Sequence, residues 1–261
     1  MENSITGLEE PHAAANADTA APESTASTLA MATHERMSDR AVGIRSYVLR
    51  SGRMTAMQHK ALAQLYAQHG VAWDAGRSIE PRELFGEEAP LVVEVGFGMG
   101  IATAAIAAAL PSTNFLGIEV YAPGVGKLLS EIERLGLKNI KICRHDALEV
   151  IGAMPPSGSV TGFHVFFPDP WPKKRHHKRR IMSAEFIRLL SERLKPGGYV
   201  YFVSDWEEYA EWTLERLAAE PLLANAYERW ATREPWRPVT KFEQRALIEG
   251  RAIRELKFIR V

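Results

Sequence analysis

The run Leu91-Val92-Val93-Glu94-Val95 stops abruptly at Gly96-Phe97-Gly98-Met99-Gly100, and small, mostly apolar residues follow to Leu110. That order predicts a buried strand, a tight turn and a helix. Apolar side chains on both faces of the run fit a parallel strand covered on both sides, as in an α/β sheet. The three glycines permit backbone dihedrals that other residues resist, and they let a ligand approach the main chain.

Spacing narrows the ligand. The dinucleotide fingerprint G-x-G-x-x-G carries its third glycine one place later, where this chain has Ile101. The loop therefore suits a ligand with no pyrophosphate to cap. S-adenosylmethionine fits, because Glu94 at the strand end offers its ammonium a carboxylate. A glycine loop also serves as an ordinary tight turn, so the rest of the chain must decide.

The chain has 261 residues and 46% hydrophobic composition, enough for one large domain or two small ones. The lone Cys143 excludes an intramolecular disulfide framework and fits a reducing, cytoplasmic setting. No apolar run reaches membrane length, and the polar, acidic start has no signal-peptide pattern. Formal net charge is zero, yet residues 1–40 carry −5 and residues 41–261 therefore +5. A moderately basic globular part is compatible with a polyanionic partner.

Residues 1–40, rich in Ala, Ser, Thr and Glu, read as a disordered acidic tail that cannot bury enough surface to offset its ordering entropy. Residues 41–261 read as a single domain. Its first stretch mixes Arg45, Arg50 and Arg53 with Tyr47, Val48, Leu49 and Met54. This is either a solvated basic arm or a lid over a phosphate-bearing partner. A helix is expected from Thr55 to Gln68, and a loop from Pro81 to Pro90.

Acids recur at predicted strand ends. Asn114 to Val120 reads as a second strand ending near Glu119, 19 residues beyond Gly100. A carboxylate there can accept both hydroxyls of a ribose diol. Val125, Leu128, Leu129, Ile132 and Leu135 share one helical face, stopped by Gly136. After a third strand, Asn139 to Cys143, Asp146 is placed either to accept from an adenine amino group or to cap the next helix, and the two roles can coexist.

A fourth strand, Val160 to Phe167, leads into Pro168-Asp169-Pro170-Trp171-Pro172. Three prolines around one acid and one tryptophan predict a rigid turn at the carboxyl end of a central strand, a frequent place for chemistry. The next eight residues, Lys173 to Arg180, hold six Lys/Arg and two His. Alone, such a run is a solvated face; beside the acid and the ring it favours a phosphate grip next to a base pocket. A fifth strand, Tyr199 to Ser204, ends at Asp205-Trp206. Arg245 to Glu249 and Ile253 to Val261 read as two strands of an antiparallel edge pair. No metal-spaced Cys/His cluster and no Ser-His-Asp arrangement is present in the sequence.

Taken in order, Val-Glu-Val-Gly-Phe-Gly-Met-Gly, Phe-Leu-Gly-Ile-Glu-Val, His-Asp-Ala, Phe-Phe-Pro-Asp-Pro-Trp-Pro-Lys, Ser-Asp-Trp and Arg-Pro-Val-Thr-Lys-Phe-Glu-Gln-Arg resemble the bacterial tRNA (guanine-N7-)-methyltransferase family, also called TrmB, over roughly residues 41–261. The acidic tail lies outside the family pattern. The resemblance implies a class I, Rossmann-like methyltransferase: a mostly parallel seven-stranded sheet with an antiparallel edge pair. It implies methyl transfer from S-adenosylmethionine, leaving S-adenosylhomocysteine, to N7 of the guanine at position 46 of the tRNA variable loop. By motif, Glu94, Gly96, Gly98, Gly100, Glu119, Asp146 and Asp169 would bind the cofactor, with Asp169 also catalytic. Lys173, Asp205, Thr240, Lys241, Phe242 and Glu243 would contact the substrate. Arg175, His176, His177, Lys178, Arg179 and Arg180 would contact RNA. No metal or membrane is implied, and the resemblance allows a monomer or a homodimer.

Guanine N7 is a lone-pair acceptor, so its methylation needs no general base. Alignment should supply most of the rate, and a carboxylate should stabilise the cationic product, with Asp169 first and Asp205 second. Trp171 or Trp206 would stack on an extruded base. Two rivals are an exocyclic-amine methyltransferase, disfavoured by the lack of paired prolines at Asp169, and a non-catalytic RNA-binding protein.

Overall fold

The computed structural model describes residues 45–48 and 52–261. The expected tail, residues 1–40, and Leu49 and Arg50 of the arm lie outside the described residues. Helix α1 (Ala56–His69) starts at a reciprocal cap: the Thr55 hydroxyl accepts from Gln58 N–H at 3.3 Å, and Gln58 Oε1 accepts from Thr55 N–H at 2.7 Å. The stretch expected to be a loop contains a short helix, α2 (Pro81–Phe85). Pro81 presets its first turn, and Gly86 closes it in the left-handed region at φ 80°.

From there strands and helices alternate. Strand β1 (Leu91–Val95) is followed by α3 (Ile101–Ala109), β2 (Asn114–Ile118), α4 (Ala122–Leu135), β3 (Ile140–Cys143), α5 (Ala147–Ala153) and β4 (Val160–Phe166). The basic run forms a 3-10 helix (Lys174–Arg179), and then come α6 (Ala184–Arg193), β5 (Leu194–Ser204), α7 (Glu207–Ala218), β6 (Leu223–Asn225), α8 (Lys241–Ile248) and β7 (Arg254–Arg260). The sheet order is β3-β2-β1-β4-β5-β7-β6. The first five neighbours run parallel, and β7 is antiparallel to both β5 and β6.

An antiparallel edge pair is therefore present, but its short member is β6, not Arg245–Glu249. That segment lies in and just beyond α8. Arg245-Ala246-Leu247-Ile248 suits either period, and the cap decides: the Thr240 hydroxyl accepts from Glu243 N–H at 3.1 Å. Ala246 is then buried, while Ile248 faces solvent.

Every residue of β1 is buried because apolar clusters cover both sheet faces. One layer holds Ala61, Ile106, Leu128, Leu129 and Ile132 from α1, α3 and α4. The other holds Ile151, Phe186, Leu190, Tyr209 and Leu217 from α5, α6 and α7. Leu135, expected on the α4 core face, is mostly outside it at 39% exposure, next to the Gly136 stop.

Charge also enters the interior. Arg237 is 1% exposed and forks onto Glu243 (2.7 and 3.3 Å) and Glu255 (2.6 Å), which also accepts from Tyr201. Burial opposes the guanidinium charge, but the two carboxylates outweigh it and hold Arg237 above its ordinary value. The network ties α8 to β7. Removing one partner of such a group costs roughly 3–5 kcal/mol, because the other charge is left buried.

Two glycines let helices reach the centre. A Cβ on Gly126 would lie 2.7 Å from the Gln58 carbonyl oxygen where α1 meets α4, and one on Gly124 would overlap the Gly98 carbonyl oxygen. Gly124→Ala is expected to lower unfolding stability in urea by about 2 kcal/mol, since backbone must move. An unchanged midpoint would contradict this close approach.

Candidate active site

The strand order turns back between β1 and β4, a crevice-forming switch point in open α/β sheets. Glu94 lies on β1, and Glu119, Asp146, Asp169 and Asp205 follow β2, β3, β4 and β5 in turn. All five expected acids thus line the carboxyl edge of one sheet.

Gly96, Gly98 and Gly100 take φ of 73°, 59° and 69°. A Cβ on Gly96 or Gly98 would meet nothing within 4 Å, so the loop borders open space. Phe97 points the other way, into the core beside Gly117 of β2. Its burial contributes ~2 kcal/mol to pinning the loop. Glu119 ties the loop to the end of β2. Its Oε2 accepts from Gly98 N–H at 2.8 Å, and its Oε1 accepts from Val120 and Tyr121 N–H at 2.7 and 3.0 Å. Burial raises its pKa, and these backbone donors pull it back.

Glu94 is 4% exposed, and its Oε2 has no hydrogen-bond partner. Burial pushes the carboxyl up to about 7; the Thr103 hydroxyl lowers it and the charge of Glu119 raises it. An orphaned acid two residues before an open loop fits a ligand ammonium. Asp146 caps α5, its Oδ1 accepting from Leu148 and Glu149 N–H at 2.8 and 3.3 Å. It also hydrogen-bonds Tyr47, whose hydroxyl is raised to about 12, first by burial and then by the Asp146 charge. The arm thus reaches the acid at the end of β3.

The proline turn is anchored at both ends by non-glycine residues in the left-handed region, Phe167 (φ 49°) and Trp171 (φ 45°). Each such residue costs roughly 1–3 kcal/mol, held in place by its surroundings. Phe167 N–H donates to the Val203 carbonyl at 2.8 Å. Trp171 Nε1 donates to the Ser46 carbonyl at 3.1 Å, with the Arg179 guanidinium 5.0 Å over its ring and His176 edge-on at 5.8 Å. Asp169, between these anchors, is exposed.

Arg180 departs from its expected place on an RNA surface. It is 2% exposed, donates to the Pro170 carbonyl at 2.9 Å, pairs with Glu208, and lies over Tyr209 and Trp212 at 4.8 and 5.2 Å. It is a strut under the turn. Lys173, Lys174, Arg175 and Lys178 keep the exposed face; His176, His177 and Arg179 are half-buried. Glu243 departs likewise, since its carboxylate is committed to buried Arg237, and Thr240 is occupied as a helix cap. Lys241 and Phe242 remain exposed, Phe242 at 69%. Asp205 Oδ2 accepts from Arg251 Nη2 at 2.8 Å. Sequence reasoning missed Arg251, the contact of Tyr47 with Asp146 and the pairing of Arg237 with Glu243 and Glu255. Only the closeness of Arg237 to Glu243 in the sequence carried a hint.

The carboxyl held up by burial gives a signed pH effect. The folded protein keeps Glu94 protonated to higher pH than the unfolded chain does. Its contribution to stability is therefore present below the unfolded value and lost as pH rises through about 7. Without cofactor, Glu94→Gln should exceed the wild type by ~3 kcal/mol near pH 8 and by almost nothing near pH 4, while S-adenosylmethionine binding by calorimetry weakens at least about tenfold. Equal stability at both pH values would contradict the buried, unpaired carboxylate.

Residues 88–256 match a family model described as "Putative methyltransferase". A tRNA (guanine-N(7)-)-methyltransferase of Bordetella pertussis is 48% identical over 238 residues, covering 91% of this chain and 93% of its own length. One from Aromatoleum aromaticum is 50% identical over 220 residues, 83% of each chain. Among solved structures, the 16S rRNA methyltransferase KamB superposes with a TM-score of 0.50 at 18% identity, over 69% of this chain and 91% of that one, a likeness of fold alone. With a family model matched over more than half its length and relatives near half identical across most of it, the chain belongs to the tRNA (guanine-N(7)-)-methyltransferase family.

Proposed function

We propose that the protein transfers the methyl group of S-adenosylmethionine to N7 of a guanine in tRNA, at position 46 of the variable loop. The observation that carries the reading is Glu94 Oε2, buried and unpartnered beside an open glycine loop. It stands in a chain whose relatives are named for this reaction.

The residues fit the cofactor. Glu94 would receive the ammonium, the open backbone at Gly96 and Gly98 would border the methionyl chain, Glu119 would accept from the ribose and Asp146 from the adenine amino group. When bound, S-adenosylmethionine supplies an electrophilic methyl carbon on a sulfonium. Guanine N7 attacks with its own lone pair, so no side chain has to remove a proton. The protein must align base and cofactor, worth up to roughly 7–11 kcal/mol of barrier in favourable cases.

Asp169 is the catalytic candidate, because its carboxylate stands exposed in a turn locked at both ends, where cationic character develops on the base. Lys173, Lys174, Arg175 and Lys178 form the exposed cationic face for tRNA phosphates. Lys241 and Phe242, exposed on α8, would offer a second contact to the substrate. Trp206, 37% exposed, offers the freer ring for stacking, since Trp171 is engaged with Ser46, His176 and Arg179.

Labelled S-adenosylmethionine and unmodified tRNA transcript should give label in 7-methylguanosine, lost when the variable-loop guanine is replaced. Label in another nucleoside would overturn the substrate assignment. Asp169→Asn should keep the fold and tRNA binding but lower single-turnover rate by about a hundredfold, a typical loss for one electrostatic group; full turnover would refute its role. A chain starting near Ser38 should turn over like the full chain, and loss of activity with the fold intact would give the tail a function.

A further inference from the structure

Several surface arginines are neutralised by a neighbouring carboxylate. Arg134 pairs with Glu131, Arg188 with Glu192, Arg229 with Glu211 and Arg254 with Glu207. The basic run keeps its charge. Lys173, Lys174, Arg175 and Lys178 are exposed, and among the described residues no carboxylate pairs with any of the four. The acid nearest to hand, Glu208, is taken by buried Arg180. The His176 imidazole in their midst is held below its ordinary pKa, by burial and then by the charges of Arg175, Arg179, Lys173 and Lys178. A face of this density and exposure attracts a polyanion.

The chain carries a polyanion of its own, and it joins the described structure at this face. The Arg45 carbonyl accepts from Arg179 Nη1 at 3.5 Å, and the Ser46 carbonyl accepts from Trp171 Nε1 at 3.1 Å. The chain before Arg45 therefore starts beside the basic run itself. Its charge is unevenly placed. Residues 34–40 hold Glu35, Arg36, Asp39 and Arg40, which cancel. Residues 1–33 hold Glu2, Glu9, Glu10, Asp18 and Glu23 and no Lys or Arg, so they carry the whole −5 that offsets the +5 of residues 41–261. Glu23 stands 22 residues before Arg45, a reach of up to roughly 75 Å, whereas the six-residue 3-10 helix is only about 12 Å long.

We propose that the acidic segment 1–33 docks on the face formed by Lys173, Lys174, Arg175 and Lys178, where it competes with tRNA as a tethered mimic of the phosphate backbone. The tether raises the local concentration of carboxylates with no second molecule required. Exposed ion pairs are individually weak and screened by salt. A ligand that lays many adjacent phosphates on the face displaces the segment, and RNA that touches it with few does not. The segment thus raises the threshold for unproductive RNA. tRNA as the competitor rests on the function proposed above; the docking does not.

The test compares the full chain with a neutral variant carrying Glu2→Gln, Glu9→Gln, Glu10→Gln, Asp18→Asn and Glu23→Gln. Brief acetylation by an amine-reactive reagent at low salt is read lysine by lysine in a mass spectrometer. Lys173, Lys174 and Lys178 should react about threefold faster in the variant, a difference that a few exposed ion pairs supply. Lys138, which precedes β3 at the opposite edge of the sheet, should react alike in both. The variant should also bind tRNA about threefold more tightly at low salt, and the two proteins should converge above about 0.5 M salt. Turnover at saturating tRNA should be the same. Equal reactivity of the three lysines, or equal tRNA affinity at low salt, would overturn the proposal. Protection that fades on dilution would overturn it as well, by assigning the segment to a second copy of the chain. Lysine protection in a protein that makes no 7-methylguanosine would sink the parent reading and uphold the docking.

Discussion

The Gly98 N–H and Glu119 Oε2, 2.8 Å apart, join the loop after β1 to the end of β2, and the site is built on that bond. It demands a loop backbone that only glycine adopts readily, a φ of 59° at Gly98, and a helix α4 that can pass close enough to touch the loop. Gly124 meets the second demand by having no side chain at the Gly98 carbonyl. Phe97 meets a third by anchoring the loop in the core while its neighbours stay open. Local conformation, packing and ligand access are thus settled by the same few residues.

Around this centre the protein accepts local instability where chemistry is proposed and offsets it nearby. Glu94 is buried without a full set of partners. Phe167 and Trp171 hold left-handed backbone on either side of Asp169. The offset is visible in Arg180, which braces the turn through the Pro170 carbonyl and is itself clamped by Glu208, Tyr209 and Trp212. The Arg237 network does the same for α8, so that Lys241 and Phe242 project from a fixed helix. Of the residues expected to touch RNA or substrate, Arg180 and Glu243 hold up the residues beside them.

Much of this was legible because it is local in sequence. The apolar run of β1, its glycine loop and the acids after successive strands follow from short-range pattern and spacing. What could not be read depends on distant partners. Arg180 is buried by Glu208, Tyr209 and Trp212 on α7, which no feature of the run Lys173 to Arg180 announces. Arg251 gains its meaning only when β7 pairs with β5 and brings it to Asp205. The segment Arg245 to Glu249 forms the end of helix α8 and not the expected strand because its five residues of mixed polarity fit either, and the deciding cap, Thr240, lies outside it.

The central claim is that Glu94 is a buried, largely protonated acid waiting for a cation. Calorimetric titration with S-adenosylmethionine near pH 6, in buffers of differing ionisation enthalpy, tests it directly. At that pH the ligand ammonium is already formed, and a carboxyl raised to about 7 is mostly protonated before binding. The account predicts release of close to one proton per cofactor bound, and its loss in Glu94→Gln. Binding with no proton release, or with the same release in the variant, would contradict it.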